Sequence, residues 1–185
     1  MRSFMKLFLA SAFLFSCSQP VKQKDETKKD TLAVVKKEDN KPAAISDYFK
    51  VVGDSAEIPP FEIEVKLSDK AEKKLKDKKE SVIVTAYFSG TPKDSTKYME
   101  DGEYAVGEHS IELTDSRIAK FRGVKISKAM YESLFDLDIQ LLINVYSGRR
   151  SSKMNYLDVM TLQKPISEFR GQKFVLTGTL IGEKN

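Results

Sequence analysis

The chain has 185 residues, with 31 Lys plus Arg against 27 Asp plus Glu, a formal net charge of +4, one cysteine, one histidine and no tryptophan. One cysteine excludes an internal disulfide framework, and one histidine excludes metal and catalytic sites that need two. A charge this small, with no recognition motif beside it, is not the electrostatic footprint of a nucleic-acid binder.

Arg2 and Lys6 precede an apolar run over residues 7–15, which Ser16, Cys17, Ser18, Gln19 and Pro20 bring to an end. A membrane-spanning helix needs about 20 predominantly apolar residues. The run is therefore too short to span a bilayer, and residues 1–16 read as a removable secretory signal. Leu14, Phe15, Ser16 and Cys17 resemble the lipobox of bacterial lipoproteins: a branched aliphatic residue lies three before the cysteine and a small residue just before it. Phe15 departs from the smaller residue many lipoboxes carry there, and the segment is similar to signals common in lipoproteins of the Bacteroidota. The resemblance implies that Cys17 becomes the acylated first residue of the mature protein, held in the outer membrane on its periplasmic side or at the cell surface. Cysteine usage agrees, because the single thiol stands where lipidation requires it. Each buried methylene contributes roughly 0.8 kcal/mol and stable anchoring needs more than one chain, a condition that a diacyl or triacyl cysteine meets.

Residues 17–58 follow as an expected tether, rich in Lys, Asp and Glu and too polar to offset the entropy of ordering. As a flexible coil of roughly 40 residues it would reach about 35 Å. Within it, Gln23, Lys24, Asp25 and Glu26 resemble the charged tetrad that directs some Bacteroidota lipoproteins to the cell surface, although a solvated tether accounts for the same residues. Pro59 and Pro60 fix two successive φ angles, and the folded domain is expected to run from there to residue 185.

Residues 61–67 alternate apolar and charged without a fault, the period of a strand with one face buried and the other in water. Ser68 is then an N-cap for a short helix with Asp69 and Glu72 at its start and Lys76, Lys78 and Lys79 at its end. Only Ala71 and Leu75 give that helix an apolar stripe, so it should lie across the edge or end of a sheet. Residues 81–88 predict a central strand ending at the turn cluster Gly90, Thr91 and Pro92. A long excursion over 93–106 precedes strands at 109–114 and 118–126. The spacing of Met130 with Leu134, and of Tyr131 with Phe135, predicts a turn or two of helix starting at Ser127. Strands at 139–146, 156–162 and 174–181 complete about seven in all. Short strands joined mainly by turns favour an all-β fold with minor α content, an antiparallel β-sandwich of immunoglobulin-like or transthyretin-like architecture, over a parallel sheet. A small β-barrel is the alternative.

No nucleophile-elbow pattern, calcium loop, phosphate-binding glycine loop or dinucleotide fingerprint is present. His109 reads as a strand-edge residue, and Glu62 and Glu64 share the solvated face of their strand. No metal or cofactor is expected. The most distinctive segment is the basic, hydroxyl-rich loop between two strong strands. In it Arg149, Arg150, Ser151, Ser152 and Lys153 are candidates for holding an anionic group, set against a hairpin that charge merely keeps soluble. The expected function is a non-catalytic binding or scaffolding module, anchored to the membrane through its lipid and facing an envelope protein or glycan. The alternatives are a carbohydrate-active hydrolase using paired carboxylates and an inhibitor or immunity-type lipoprotein that presents the 147–155 loop.

Overall fold

A computed structural model describes residues 44–94 and 104–183, all within a compact unit spanning residues 41–185. The expected signal peptide, Cys17 and the expected tether up to residue 43 lie outside the described residues. In chain order the elements are α1 (Ile45–Tyr48), β1 (Lys50–Val52), β2 (Ser55–Glu57), β3 (Phe61–Leu67), α2 (Asp69–Lys78), β4 (Val82–Gly90), β5 (Tyr104–Leu113), β6 (Ile118–Phe121), β7 (Lys125–Ser127), α3 (Lys128–Glu132), β8 (Gln140–Ser147), β9 (Leu157–Val159), β10 (Leu162–Pro165) and β11 (Lys173–Leu180). A short 3-10 turn, Ile166–Glu168, sits between β10 and β11.

The strands form two four-stranded sheets, ordered β10-β8-β4-β5 and β6-β3-β11-β9, and a small sheet ordered β1-β2-β7. Each large sheet keeps two free edges, so the architecture is an open all-β sandwich and the barrel alternative is set aside. All pairings are antiparallel except β3 with β11, which run side by side with Glu62 opposite Lys173 and Leu67 opposite Gly178. β4 lies in the interior of its sheet, as its β-branched and aromatic composition predicts.

Folded structure begins upstream of Pro59, inside the stretch assigned above to the tether. β1 and β2 form a hairpin across Gly53 and Asp54, with Gly53 at φ +57°, and Phe49, Ala56 and Ile58 are buried. The Phe49 ring packs on Tyr131 of α3 at 4.3 Å between centroids. These few apolar side chains outweigh the polar character of the surrounding residues because the small sheet gives them partners far along the chain. Two stretches read as single strands are each divided. Residues 118–126 break at Gly123, φ +66°, where the chain leaves the β6 pairing for the small sheet. Residues 156–162 divide into β9 and β10, which belong to different sheets.

The core follows the period-2 pattern. Phe61, Ile63 and Val65 of β3, Val82, Val84, Ala86 and Phe88 of β4, and Leu141, Ile143 and Val145 of β8 are all buried. Phe61 stacks on Phe121 at 4.5 Å and meets Phe169 edge-on at 5.0 Å. Burying a side chain of this size contributes about 1.5–3 kcal/mol. α2 is capped as read: the Ser68 hydroxyl accepts from the Ala71 N–H, Lys79 closes the helix at φ 53°, and Ala71 and Leu75 are its buried residues. It packs beside β11, with the Ser68 N–H donating to the Gly178 carbonyl.

The sandwich has two distinct ends. Ala44, α1 and the starts of β3 and β11 lie at one, where the chain enters and Arg170 donates to the Asp47 carbonyl. At the other are α2, the start of β4 and the ends of β5 and β8, since Val82 pairs with both Leu113 and Ser147. The loop from β8 to β9 belongs to this second end.

Candidate functional site

The β8–β9 loop, residues 148–156, is clasped at its base by two side chains. The Asn155 amide oxygen accepts from the Ser147 N–H at 2.9 Å and from the Leu157 N–H at 3.0 Å, while its amide nitrogen donates to the Leu157 carbonyl at 2.7 Å. The buried Ser147 hydroxyl accepts from the Tyr156 N–H. Gly148 lies against the turn that precedes β4: its N–H donates to the Ser81 carbonyl, and a Cβ at this position would come within 2.0 Å of the Ser81 Oγ. Only glycine permits that approach.

Glu80, in the turn between α2 and β4 and only 7% exposed, reaches across to the loop. Its carboxylate accepts from the Arg150 N–H at 3.0 Å and from the Ser151 N–H. Burial pushes the Glu80 pKa up, yet the two backbone donors outweigh it and hold the carboxyl below the usual glutamate range. Glu112, at the end of β5, accepts from the Ser81 hydroxyl and pairs with the Arg150 guanidinium at 2.7 Å. Those two contacts, the serine hydroxyl first, also lower its pKa.

Of the five residues singled out in this loop, Ser152 accepts from the Met154 N–H through its hydroxyl, and the other four separate into two groups. The backbone N–H groups of Arg150 and Ser151 and the Arg150 guanidinium are committed to the protein's own carboxylates. Arg149 and Lys153 are exposed and have no carboxylate partner among the described residues. Arg149 has φ +56°, one of two non-glycine residues with positive φ among the described residues, and its guanidinium lies 5.4 Å from the centre of the Tyr146 ring. On the loop's other flank, the Lys74 ammonium of α2 sits 5.5 Å from the Tyr156 ring centre. Hydrogen bonds from the Ser151 and Ser152 hydroxyls, with Lys78 and Lys74 nearby, lower the Tyr156 pKa.

Tyr146 continues the site onto the outward face of the β4-containing sheet. Thr85, 1% exposed although it points outward, has its hydroxyl 2.8 Å from the Ser110 hydroxyl and 3.1 Å from that of Tyr146. Tyr87, raised in pKa by burial, stands next to them. None of these residues was singled out from the sequence. The available signal was that residues 82–88 and 141–146 are uncharged on both faces, the mark of a sheet whose two sides are both screened from water.

A shallow cleft of about 800 Å³ opens beside the loop, lined by Glu72, Leu75, Glu80, Ser81, Arg117 and Arg150 among others. Arg117 closes one wall with two 2.9 Å bonds to Glu72. Glu80 and Glu112 are both bonded to Arg150, and the pKa of each is lowered. A glycosidase general acid needs a raised pKa, so the pair lacks that property. Among the described residues no group of three or more His, Cys, Asp and Glu side chains is placed to hold a metal ion. His109 lies exposed on the edge strand β5, its ring 6.0 Å from that of Phe121. No protein-family model matches the chain, and neither a curated protein nor a solved structure matches it.

Proposed function

We propose that the protein is an envelope lipoprotein, anchored in the outer membrane by acyl chains on Cys17, whose sandwich domain binds another envelope component without turnover. The observation that carries the binding part is the Glu80 clamp. An exposed loop normally loses conformational freedom when it binds, at a cost of about 0.5–1.5 kcal/mol for each long side chain immobilised. Here a buried carboxylate, an asparagine clasp and a glycine contact have already fixed the loop's backbone. Such pre-organisation favours recognition, while the lowered pKa values of Glu80 and Glu112 do not suit that pair to the general-acid role of a glycosidase. The anchor rests on the sequence signal, and among the described residues no helix is long and apolar enough to cross a membrane.

Two experiments test the halves separately. Intact-mass analysis of the protein from a bacterial membrane fraction should show a chain beginning at Cys17 with added acyl mass, and Cys17→Ala should be unprocessed or soluble. An unlipidated wild type would end the anchor reading. For binding, crosslinking and capture from envelope extracts with the full chain should recover a component that a loop-loosening Glu80→Gln variant recovers less well. Equal recovery by both would count against the loop.

A further inference from the structure

The charges at the loop end do not balance. Among its carboxylates, Glu80 is taken up by two backbone N–H groups, Glu112 by Arg150, Glu72 by Arg117, Asp77 by Lys73, and Glu183 by Ser68 and the Leu180 N–H, while Asp69 and Asp115 are exposed with no cation partner among the described residues. Six cations have no carboxylate partner among the described residues, Lys74, Lys76, Lys78 and Lys79 on α2 and its C-cap and Arg149 and Lys153 on the loop, and of these Lys74 and Lys78 lie one turn apart. Lys74 and Lys78 lie near the Tyr156 hydroxyl, which the Ser151 and Ser152 hydroxyls also approach, while Arg149 lies over the Tyr146 ring on the other flank of the loop. Arg149 is held there in a left-handed backbone conformation that costs of order 1–3 kcal/mol in a residue other than glycine.

We infer that the loop end, with the Lys74–Lys78 face of α2, is a binding site for an acidic saccharide, a sugar chain carrying carboxylate or phosphate groups. The inference rests on the binding-module reading above and names its ligand class. Cations on two separate elements suit a ligand with several spaced charges rather than one ion. The Ser151, Ser152 and Tyr156 hydroxyls beside the lysines match sugar hydroxyls as both donors and acceptors. Arg149 supplies a planar fork for a carboxylate or phosphate, and the lysines supply mobile point charges.

The test is calorimetric titration of the full chain, purified in detergent, with oligogalacturonate, maltohexaose and inorganic phosphate. Oligogalacturonate should bind at least tenfold more tightly than either of the others and weaken as salt rises. The paired substitution Lys74→Gln with Lys78→Gln should reduce its affinity about tenfold with no change in melting temperature, about 1.4 kcal/mol of binding free energy. Arg149→Gly should lose affinity while gaining stability, because glycine tolerates the left-handed conformation. Binding no tighter than maltohexaose, binding matched by phosphate alone, or full affinity in the paired variant would each overturn the inference. If oligogalacturonate fails while envelope capture still depends on the loop, the partner is of another class and the binding-module reading stands; if capture fails as well, both fall.

Discussion

Two pairs of glutamates show how differently one side chain can be used in this sandwich. Glu62 and Glu64 lie on the outward face of the β3-containing sheet, each beside two cations: Arg122 at 3.2 Å and Lys120 at 4.0 Å for the first, Lys173 at 2.6 Å and Lys66 at 3.8 Å for the second. Glu80 and Glu112 lie at the loop end, where they receive directed bonds from two backbone N–H groups, a serine hydroxyl and an arginine. The first pair is a solvated ladder in which lysines can shift partners at little cost, as exposed ion pairs generally do. The second holds a loop in place. The direction of the donors and, for Glu80 alone, burial separate the two.

Substitutions can break that contrast, and the largest effect is expected at Glu80. Glu80→Ala leaves two N–H groups without their acceptor and should lower stability by about 2–4 kcal/mol, read by denaturant unfolding. Its acid dependence has a definite sign. The folded-state pKa lies below the usual glutamate value, so the carboxylate's contribution is present above that value and lost as pH falls through the depressed one. Acid unfolding of the wild type should therefore steepen below the ordinary glutamate range, and Glu80→Gln should flatten that part of the curve. An unchanged acid limb in Glu80→Gln would remove the clamp from the account.

Gly148→Ala comes next. Its Cβ would meet the Ser81 Oγ, which itself bonds Glu112, and the displacement should cost about 1–3 kcal/mol. Glu112→Gln should be milder, releasing the Arg150 side chain while Glu80 still holds the loop backbone; side-chain NMR of Arg150 would show faster motion with little change in melting temperature. Smallest of all, Glu62→Gln and Glu64→Gln together should leave the melting temperature within experimental scatter. A clear drop there would mean that the ladder is structural and the contrast between the two pairs is wrong.

Much of the scaffold was legible because it depends on local pattern. Residues 61–67 alternate perfectly, and the strand occupies those residues with its charged positions on the outward face, Glu62 and Glu64 half-buried and Lys66 exposed. Ser68, Ala71 and Leu75 specified both the cap of α2 and its buried stripe. What escaped depends on partners far away in the chain. β1 and β2 are three residues each, and their apolar anchors acquire meaning only against Tyr131 and the β7 pairing. Glu80 closes a run of charges, Lys76, Asp77, Lys78 and Lys79, and reads as one more solvated residue; its acceptors' partners are 70 and 71 positions away. The loop itself was legible as a basic, hydroxyl-rich segment. Which of its donors remain free was not, because Glu80 and Glu112 decide that.

Amide hydrogen exchange at Arg150 and Ser151 tests most directly whether the loop is pre-built for recognition. Both N–H groups, though they lie in an exposed loop, should exchange far more slowly than those of Lys153 and Met154, and Glu80→Gln should bring them towards the solvent rate. Wild-type exchange at the solvent rate would contradict this expectation, leaving a mobile loop and no clamp.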